Sequence, residues 1–331
     1  MKREWIRWTG YGSPLGGGIQ QYLEAKRSFG RRFGNEERAL HLFDRFLAQQ
    51  RVTAIEDISP AVVDAFLCSR PRRVARSYND LQGTVRRLLD WLLSQGVAGV
   101  VPYRGRPRRE TGRRVPVLFT DAQARLLLDA AARLPDDPHV SGPRGRGQTY
   151  RLVFAVLYGL GLRVGEVSRL EVGDVDLGRR TLVVRRTKFG KDRLVPFGPR
   201  LAGELGTYLA KRRRLSPDRP LFSVRGRTAI STNSIRKVFQ RLCREVGIGP
   251  SASGSAPRVH DMRHSFAVAT LLHWYEEGVD PGDRLHQLST FLGHVNPAAT
   301  AVYITITSEL LQEAKRRFAR VAAAALPEVA S

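Results

Sequence analysis

Apolar residues recur at intervals of three and four through four segments near the N-terminus, a spacing that predicts helices with one apolar face. These segments are GGIQQYLEAKRSFGRRF (17–33), NEERALHLFDRFLAQQ (35–50), SPAVVDAFLCSR (59–70) and YNDLQGTVRRLLDWLLSQG (78–96). Asn35 followed by two glutamates, and Ser59 followed by a proline, are typical of helix starts, whereas Gly96 is typical of a helix end. We therefore expect a compact helical domain over residues 1–100.

From Thr120 onward, helical spacing alternates with short runs that have the period of strands. TDAQARLLLDAAARL and GQTYRLVFAVLYGLGL predict helices, whereas GDVDL, RTLVVRRT and DRLVPF alternate or are β-branched and are separated by glycine-containing turns. PRLAGELGTYLAKRRR, TNSIRKVFQRLCREV and HDMRHSFAVATLL return to helical spacing, and three more short helices are expected after them. The pattern predicts a mainly α domain over residues 117–331 with a small three-stranded antiparallel sheet, an α+β fold.

Between the two patterns lies VPYRGRPRRETGRRVP, residues 101–116, which is rich in proline and arginine and poor in apolar residues. Such a segment offers little to a core, so we interpret it as a basic linker between two domains. Its arginines could lie along a DNA backbone, or the segment could be a solvated hinge. The sequence favours neither interpretation.

The charge balance indicates the class of partner. The 331 residues include 55 Lys and Arg against 31 Asp and Glu, a formal net charge of +24. The excess lies in both parts, since residues 1–110 carry 20 basic and 11 acidic residues and residues 111–331 carry 35 and 20. Basic residues that neutralise phosphates release counterions, so we infer a polyanionic partner such as double-stranded DNA. An anionic membrane surface or a ribosomal site would satisfy the charge alone.

Other features of the composition narrow the classes further. Cys68 and Cys243 are too few and too isolated for a disulfide framework or a zinc site. The N-terminal MKREWIRWTGYG lacks the apolar core of a signal peptide, and no window approaches 18 unbroken apolar residues. We expect a cytoplasmic, nucleoid-associated protein that needs no cofactor and no metal.

Five polar stretches of the second part carry the candidate chemistry. They are, in chain order, GLRVGE with Arg163 and Glu166, TKFGKDRLVP with Lys188, HDMRH with His260 and Arg263, LGH with His294, and TAVYI with Tyr303. Singly, each has an ordinary interpretation: a tyrosine in an apolar run usually packs, and Arg163 could pair with Glu166 in one helix. Two positions have competitors, Lys191 for Lys188 and His264 for His260.

Taken together in this order, the five motifs resemble those of the tyrosine site-specific recombinases, the phage integrase and Xer-type family, from about Val115 to Arg320. The N-terminal helices are similar to that family's DNA core-binding domain in position and size. The resemblance implies an enzyme that cuts and rejoins DNA through a 3′-phosphotyrosyl intermediate, without metal or ATP. The implied roles are Tyr303 as nucleophile, Arg163 and Arg263 as cations on the phosphate, Lys188 as general acid, His260 in proton transfer, His294 as a hydrogen-bond donor to the phosphate, and Glu166 as support.

The resemblance also bears on assembly and on the remaining alternatives. It implies a homotetramer on two DNA sites, with accessory recombination proteins as further candidates. The stretch HWYEEGVDPGDRLHQ lengthens the interval from Arg263 to His294 and resembles the mobile-element branch of the family. Aligning on RLVP favours Lys188 over Lys191. Two other functions remain open: a sequence-specific DNA-binding protein of the same fold without strand exchange, and a metal-dependent nuclease or transposase that uses His260, His264 and His294.

Overall fold

The chain folds into two compact units, Met1–Arg113 and Arg114–Ser331. The computed structural model describes residues 10–30, 33–97, 99–110, 114–136, 145–185, 192–212, 216–224, 226, 228–251, 254–294, 300 and 303. The boundary between the units falls inside the proline- and arginine-rich segment that the sequence predicts as a linker.

The first unit is helical, and each of the four predicted segments forms a helix. The helices are α1 (Gly16–Ser28), α2 (Gly34–Gln49), α3 (Pro60–Cys68) and α4 (Ala75–Ser94). Helix α4 packs against the other three, and its buried face meets side chains such as Phe43 and Phe66 in one apolar core. Gly18 allows α1 to pack closely against α4, because a β carbon at this position would lie 2.7 Å from the Leu92 side chain. Pro60 begins α3 and Gly96 follows α4 with a φ of +73°, as the sequence suggests.

Part of the predicted linker belongs to the first unit. Tyr103 is only 2% exposed in its core, and the phenol donates a hydrogen bond to Asp64 at 2.6 Å. The Arg108 guanidinium lies 3.7 Å from the centre of the Tyr78 ring. This differs from the expectation of a segment that cannot pack. The buried ring of Tyr103 and the stacked Arg108, together with hydrogen bonds between Arg108 and Asn79, hold this part of the segment on the first unit.

The second unit is mainly helical around a buried central helix. Its helices are α5 (Asp121–Ala132), α6 (Arg146–Gly159), α7 (Val164–Val167), α8 (Pro199–Ala210), α9 (Thr232–Glu245), α10 (Val259–Glu276) and α11 (Pro281–Leu292), with a short 3-10 helix at Val172–Asp174. Helix α6 packs against α5, α8 and α10, which explains why apolar residues occur all around it. Thr120 starts α5 with a capping box formed with Gln123.

The three predicted strands form one antiparallel sheet in the order β1–β2–β3, which confirms the mainly α fold with a small sheet. The strands are β1 (Val175–Asp176), β2 (Thr181–Val184) and β3 (Arg193–Pro196). Val184 pairs with Arg193, so the segment that contains Lys188 connects β2 to β3. Residues 186–191 of that segment lie outside the described part of the chain.

The long interval between Arg263 and His294 is accounted for by helices α10 and α11. The stretch HWYEEGVDPGDRLHQ forms the end of α10, a turn, and the start of α11, where Asp280 caps the helix and Pro281 begins it. Helices α10 and α11 share a separate apolar cluster that includes the Tyr303 ring.

Within the described residues, no helix is both long and apolar enough to cross a membrane.

Candidate active site

Five of the six predicted catalytic residues lie in the described part of the second unit, and the structure brings all five together. Arg163 precedes α7, His260 and Arg263 lie in the first turns of α10, and His294 follows α11, with Tyr303 beyond it. The loop before α7 makes a close approach to α10 and α11, because Gly161, at a φ of +57°, would carry a β carbon 2.6 Å from Phe266. The site therefore assembles where the ends of three helices meet.

A carboxylate between two arginines forms one side of the site. Glu166 is 4% exposed, and its Oε1 accepts a hydrogen bond from Nη1 of Arg163 at 2.9 Å. Its two oxygens also accept a fork from Arg193, with Nη1 and Nη2 at 3.0 and 2.9 Å. The other terminal nitrogen of Arg163, Nη2, donates to the carbonyl of Gly293 at 3.0 Å. The Arg163–Glu166 pair matches the ordinary interpretation of the sequence, but the pair also holds Arg163 beside His294.

Arg193 is a site residue that the sequence reasoning did not identify. It begins β3, and besides the fork to Glu166 its Nε donates to the carbonyl of Phe291 at 2.9 Å. A β carbon on Gly293 would lie 2.8 Å from its Nη1. Arg193 therefore joins the sheet, α7 and the end of α11. The available signal was an arginine at the start of RLVP, a strand that otherwise has apolar positions, although spacing alone does not reveal its partner.

The two arginines keep Glu166 ionised. Burial by itself raises the pKa of this carboxyl, but the hydrogen bonds and charge of Arg193, followed by those of Arg163, outweigh burial and lower the pKa to about 2. A buried anion of this kind is stable only with such partners. Glu166 is consequently an acceptor that orients two guanidinium groups at any physiological pH.

Arg263 is the most deeply buried arginine among the candidate catalytic residues, with a relative exposure of 1%. Its Nη1 donates to the carbonyl of Gly161 at 2.7 Å, and its Nη2 donates to the carbonyl of Leu292 at 2.7 Å and to Nε2 of His294 at 2.8 Å. Burial and the charge of Arg163 lower its pKa to about 10. Arg263 therefore remains a cation at neutral pH.

Tyr303 lies against this cation and two imidazole rings. It is 4% exposed, its ring is stacked on that of His294 with centroids 6.3 Å apart, and His264 meets it edge-on at 5.4 Å. Burial raises the pKa of the phenol, whereas the charge and hydrogen bond of Arg263 and the charge of Arg163 act in the opposite direction. The phenol is thus protonated at neutral pH and already faces a fixed cation.

The two histidines of α10 form one cluster. The His260 and His264 rings are 4.7 Å apart and nearly perpendicular, so His264 connects His260 to the Tyr303 ring. His264, which the sequence leaves as a competitor for the role of His260, therefore also lies beside the candidate nucleophile. Desolvation, His264 and the nearby arginines lower the pKa of His260. Much of the His260 side chain is exposed, so water screens part of this effect. The direction favours a neutral ring.

A second arginine that the sequence reasoning did not identify anchors the head of α10. Asp261, between His260 and Arg263, is fully buried, and its two oxygens accept hydrogen bonds from Nη1 and Nη2 of Arg114 at 2.7 and 2.6 Å. Oδ2 of Asp261 also accepts from the backbone N–H of Arg258 at 2.9 Å, which caps the helix. Arg114 belongs to the segment predicted as a linker.

Lys188 lies outside the described residues, so its predicted place in the site stays a prediction. The strands on either side of Lys188, β2 and β3, are described. Arg193, the first residue of β3, donates two hydrogen bonds to Glu166 and so fixes the start of that strand at the site. Within the described ranges, no group of three or more His, Cys, Asp or Glu side chains is arranged to hold a metal ion.

Comparison with known proteins identifies relatives over most of the chain. The Phage integrase family matches residues 119–309, which contain all the candidate catalytic residues. A Sinorhizobium fredii protein named "Putative integrase/recombinase y4rB" is 34% identical over 315 residues, covering 91% of this chain and 96% of the relative. "Tyrosine recombinase XerA" of Pyrococcus horikoshii is 27% identical over 261 residues, covering 78% of this chain and 81% of the relative.

Solved structures share the fold. XerH site-specific recombinase, in a post-cleavage complex with palindromic difH substrate, aligns with a TM-score of 0.62 and 17% identity over 90% of this chain and 83% of that one. A lambda integrase tetramer bound to a Holliday junction aligns with a TM-score of 0.56 and 17% identity over 86% and 78%. The family match and the 34% identity show common descent in addition to a shared fold. The chain belongs to the phage integrase family and is a tyrosine recombinase.

Proposed function

We propose that this protein is a site-specific DNA recombinase that cuts and rejoins strands through a 3′-phosphotyrosyl intermediate at Tyr303. The observation that carries the proposal is the convergence of Tyr303 with Arg263 and His294, whose Nη2 and Nε2 are 2.8 Å apart beside the phenol ring. Burying a charge costs free energy, and a tyrosine that only packs does not require a cation beside it. A tyrosine that attacks a phosphate does require one, because the cation stabilises the negative charge of the phosphate.

The phenol suits reversible strand cleavage. Tyr303 Oη forms a bond to phosphorus while the bond from phosphorus to the 5′ oxygen breaks, and the phenol gives up its proton. The ester keeps the bond energy, so a 5′ hydroxyl can attack it later and release the phenol without ATP. A phenol, with a pKa near 10, is acidic enough to be released in that step.

The arginines supply fixed positive charge for the transition state. Additional negative charge develops on the phosphate oxygens, and a guanidinium offers two parallel donors to them. Arg263 is held by two backbone carbonyls and Arg163 by Glu166, so both guanidinium groups are already oriented before the phosphate binds. The side chain of Arg163 is 32% exposed, which leaves it accessible to a phosphate from solvent.

Proton transfer needs the remaining groups. The departing 5′ oxygen would be a strongly basic alkoxide, and we assign the proton that it takes to Lys188. His260 assists proton transfer at the phenol, and His294 contacts the phosphate. Burial, Arg263 and Arg163 lower the pKa of His294 to about 4, so its ring is neutral before DNA binds. The neutral ring adds no positive charge of its own to the site before DNA binds.

The partner that we propose is double-stranded DNA, bound by both units. The net charge of +24 and its distribution over both parts of the chain support this. XerH with difH substrate and the lambda integrase tetramer on a Holliday junction are DNA complexes of proteins with this fold. We also propose a tetramer on two sites, because four strands are exchanged and each subunit has one nucleophile. Accessory proteins remain candidates.

A covalent-trapping experiment tests the function. Tyr303→Phe removes one hydroxyl and leaves the packing and the basic surface unchanged. We expect near-wild-type DNA binding in a band shift and no covalent protein–DNA species on a labelled, nicked suicide duplex. Tyr158→Phe is the matched control, because it also removes a phenol hydroxyl, one that lies on a half-buried ring and donates to Asp121 at 2.9 Å outside the site. This control should retain the adduct.

Two outcomes would contradict the proposal. A covalent band from Tyr303→Phe would assign the nucleophile to another residue. A wild-type protein that binds its site but forms no adduct on the suicide duplex would support the alternative of a DNA-binding protein without strand exchange.

A further inference from the structure

We propose that Thr300 is a positioning residue that sets the tautomer and orientation of the His294 imidazole. Thr300 is fully buried, and its Oγ1 lies 2.6 Å from Nδ1 of His294. On the opposite side of the same ring, Nη2 of Arg263 lies 2.8 Å from Nε2. Both ring nitrogens therefore have a protein partner. The consequence for catalysis rests on the function proposed above, whereas the tautomer itself does not.

The chemistry of the two partners assigns the proton. A guanidinium has only donors, so Nε2 of His294 must accept from Arg263 through its lone pair. A neutral imidazole carries one N–H, which must then be on Nδ1. The Nδ1–H accordingly donates to Oγ1 of Thr300, since a threonine hydroxyl has two lone pairs to accept with. The structure assigns the Nδ1–H tautomer to His294.

Backbone contacts fix the main chain at His294 but not the orientation of its ring. The His294 N–H donates to the carbonyl of Ser289 at 2.9 Å, and Gly293 before it ends α11 in the left-handed region at a φ of +67°. These contacts hold the main chain at His294 but leave the ring free to turn about its side-chain bonds. Thr300 is the group that removes this freedom on the side away from Arg263.

This arrangement decides which nitrogen serves the phosphate. Because the Nδ1–H donates to Thr300, Nε2 presents only a lone pair on the other side, and His294 can donate to a phosphate oxygen there only after Nε2 takes up a proton from solvent, which makes the ring an imidazolium. That nitrogen is the one beside Arg263, where the phosphate is proposed to bind. Without the threonine hydroxyl, Nδ1–H would be buried without a partner, and the ring would turn or change tautomer to satisfy it. Thr300 thus acts through His294 and need not touch the DNA.

Two substitutions separate the hydroxyl from the shape of the side chain. Thr300→Val keeps the branched shape and removes Oγ1, whereas Thr300→Ser keeps the hydroxyl. Nitrogen-15 NMR of the DNA-free protein at neutral pH distinguishes a protonated from an unprotonated ring nitrogen, and a His294→Gln sample identifies the resonances. We expect wild type and Thr300→Ser to show the Nδ1–H form. Thr300→Val should show a mixed or Nε2–H form.

Cleavage of the suicide duplex under single-turnover conditions tests the consequence. Thr300→Val should cleave roughly 10-fold or more slowly than wild type, the size of effect expected when one buried donor loses its acceptor. Thr300→Ser should recover most of the rate, and band shifts should give the same affinity for all three proteins. Thermal unfolding checks that each variant is folded.

Several outcomes would overturn the inference. A wild-type spectrum with the Nε2–H form would contradict the assigned tautomer, and an unchanged spectrum in Thr300→Val would contradict the part played by Thr300. A Thr300→Val protein with an altered tautomer and a wild-type cleavage rate would contradict the positioning role. If wild type forms no adduct at all, the proposed function fails, and the NMR spectra still decide the tautomer.

Discussion

Glu166 accepts hydrogen bonds from two arginines, one three residues before it and one 27 residues after it. The nearer partner, Arg163, follows from helical spacing. The farther partner, Arg193, donates through a two-pronged fork that only a folded β3 can present. The fork is the stronger geometry, because two parallel bonds fix the plane of the carboxylate. The orientation of Arg163 therefore depends on a residue of the sheet.

Substitution of Arg193 tests this dependence at the residue scale. Arg193→Met removes the fork and the bond to Phe291, so Arg163 and the end of α11 lose a common support. We expect suicide-duplex cleavage to slow by up to roughly 100-fold, as small misplacements of catalytic groups do. DNA affinity should stay near wild type, because the Arg193 side chain is only 10% exposed and has little surface for DNA.

The same variant has a defined dependence of stability on pH. In wild type, the pKa of Glu166 is about 2, below its ordinary value of 4.5, so the ionised carboxylate contributes stability above about pH 4.5 and loses it as the pH falls towards 2. Arg193→Met should be less stable than wild type at pH 7. The gap between their thermal midpoints should narrow below pH 4.5.

Arg151→Met is the matched control for Arg193→Met. Arg151 also pairs with two carboxylates, Asp129 and Glu204, at 3.1 and 3.2 Å, on helices that do not carry the site residues. This control should cleave at the wild-type rate. Equal cleavage rates for the two variants would contradict a specific role for Arg193.

At the scale of elements, the head of α10 carries two site residues and is fixed by a third residue between them. Asp261 is fully buried and faces Arg114, which is 22% exposed. The two bonds to Arg114 and the cap to the Arg258 N–H hold the first turn of the helix. A helix that presents His260 and Arg263 to a phosphate needs its first turn in one place.

Arg114→Met should destabilise the protein strongly, because it leaves the Asp261 carboxylate buried without its cation. Breaking a buried pair costs about 3 kcal/mol at the lower end of measured values, and Arg114 is partly exposed, so we use that lower end. For a unit of the size of Arg114–Ser331, which contains both partners, the thermal midpoint should fall by roughly 6 °C. Thermal unfolding of the full chain measures it.

Arg104→Met provides the comparison for an exposed pair. Arg104 and Asp90 form a 2.8 Å ion pair with side chains 69% and 40% exposed. Pairs of this kind contribute roughly 1 kcal/mol or less, so the midpoint should barely move. If Arg114→Met and Arg104→Met lowered the midpoint equally, Asp261 would not depend on its buried partner.

At the scale of the whole molecule, one nucleophile per chain and four strands to exchange lead us to expect four subunits on two DNA sites. Size-exclusion chromatography with light scattering, at saturating protein on DNA that carries paired sites, measures the number of subunits. We expect complexes with four chains and two duplexes. Complexes that never exceed one chain per duplex would contradict the tetramer.

The pattern of apolar residues predicts most of the elements of both units. Helical spacing and strand period gave the four N-terminal helices, the three strands and the helices around them, because local periodicity reflects which face is buried. The linker was the exception. Its single buried aromatic, Tyr103, packs into the first unit, and one residue carries no periodic signal.

The sequence by itself determined the identities and order of the proposed catalytic groups, since the reaction demands particular side chains and the five motifs carry them. The tertiary structure alone decided their supports. Three supporting residues show this. Arg193 bonds to Glu166, 27 residues away, and Arg114 bonds to Asp261, 147 residues away. Thr300 bonds to His294, 6 residues away. Such bonds depend on distances and angles between separate elements, and these are set by packing of the whole unit rather than by any local pattern.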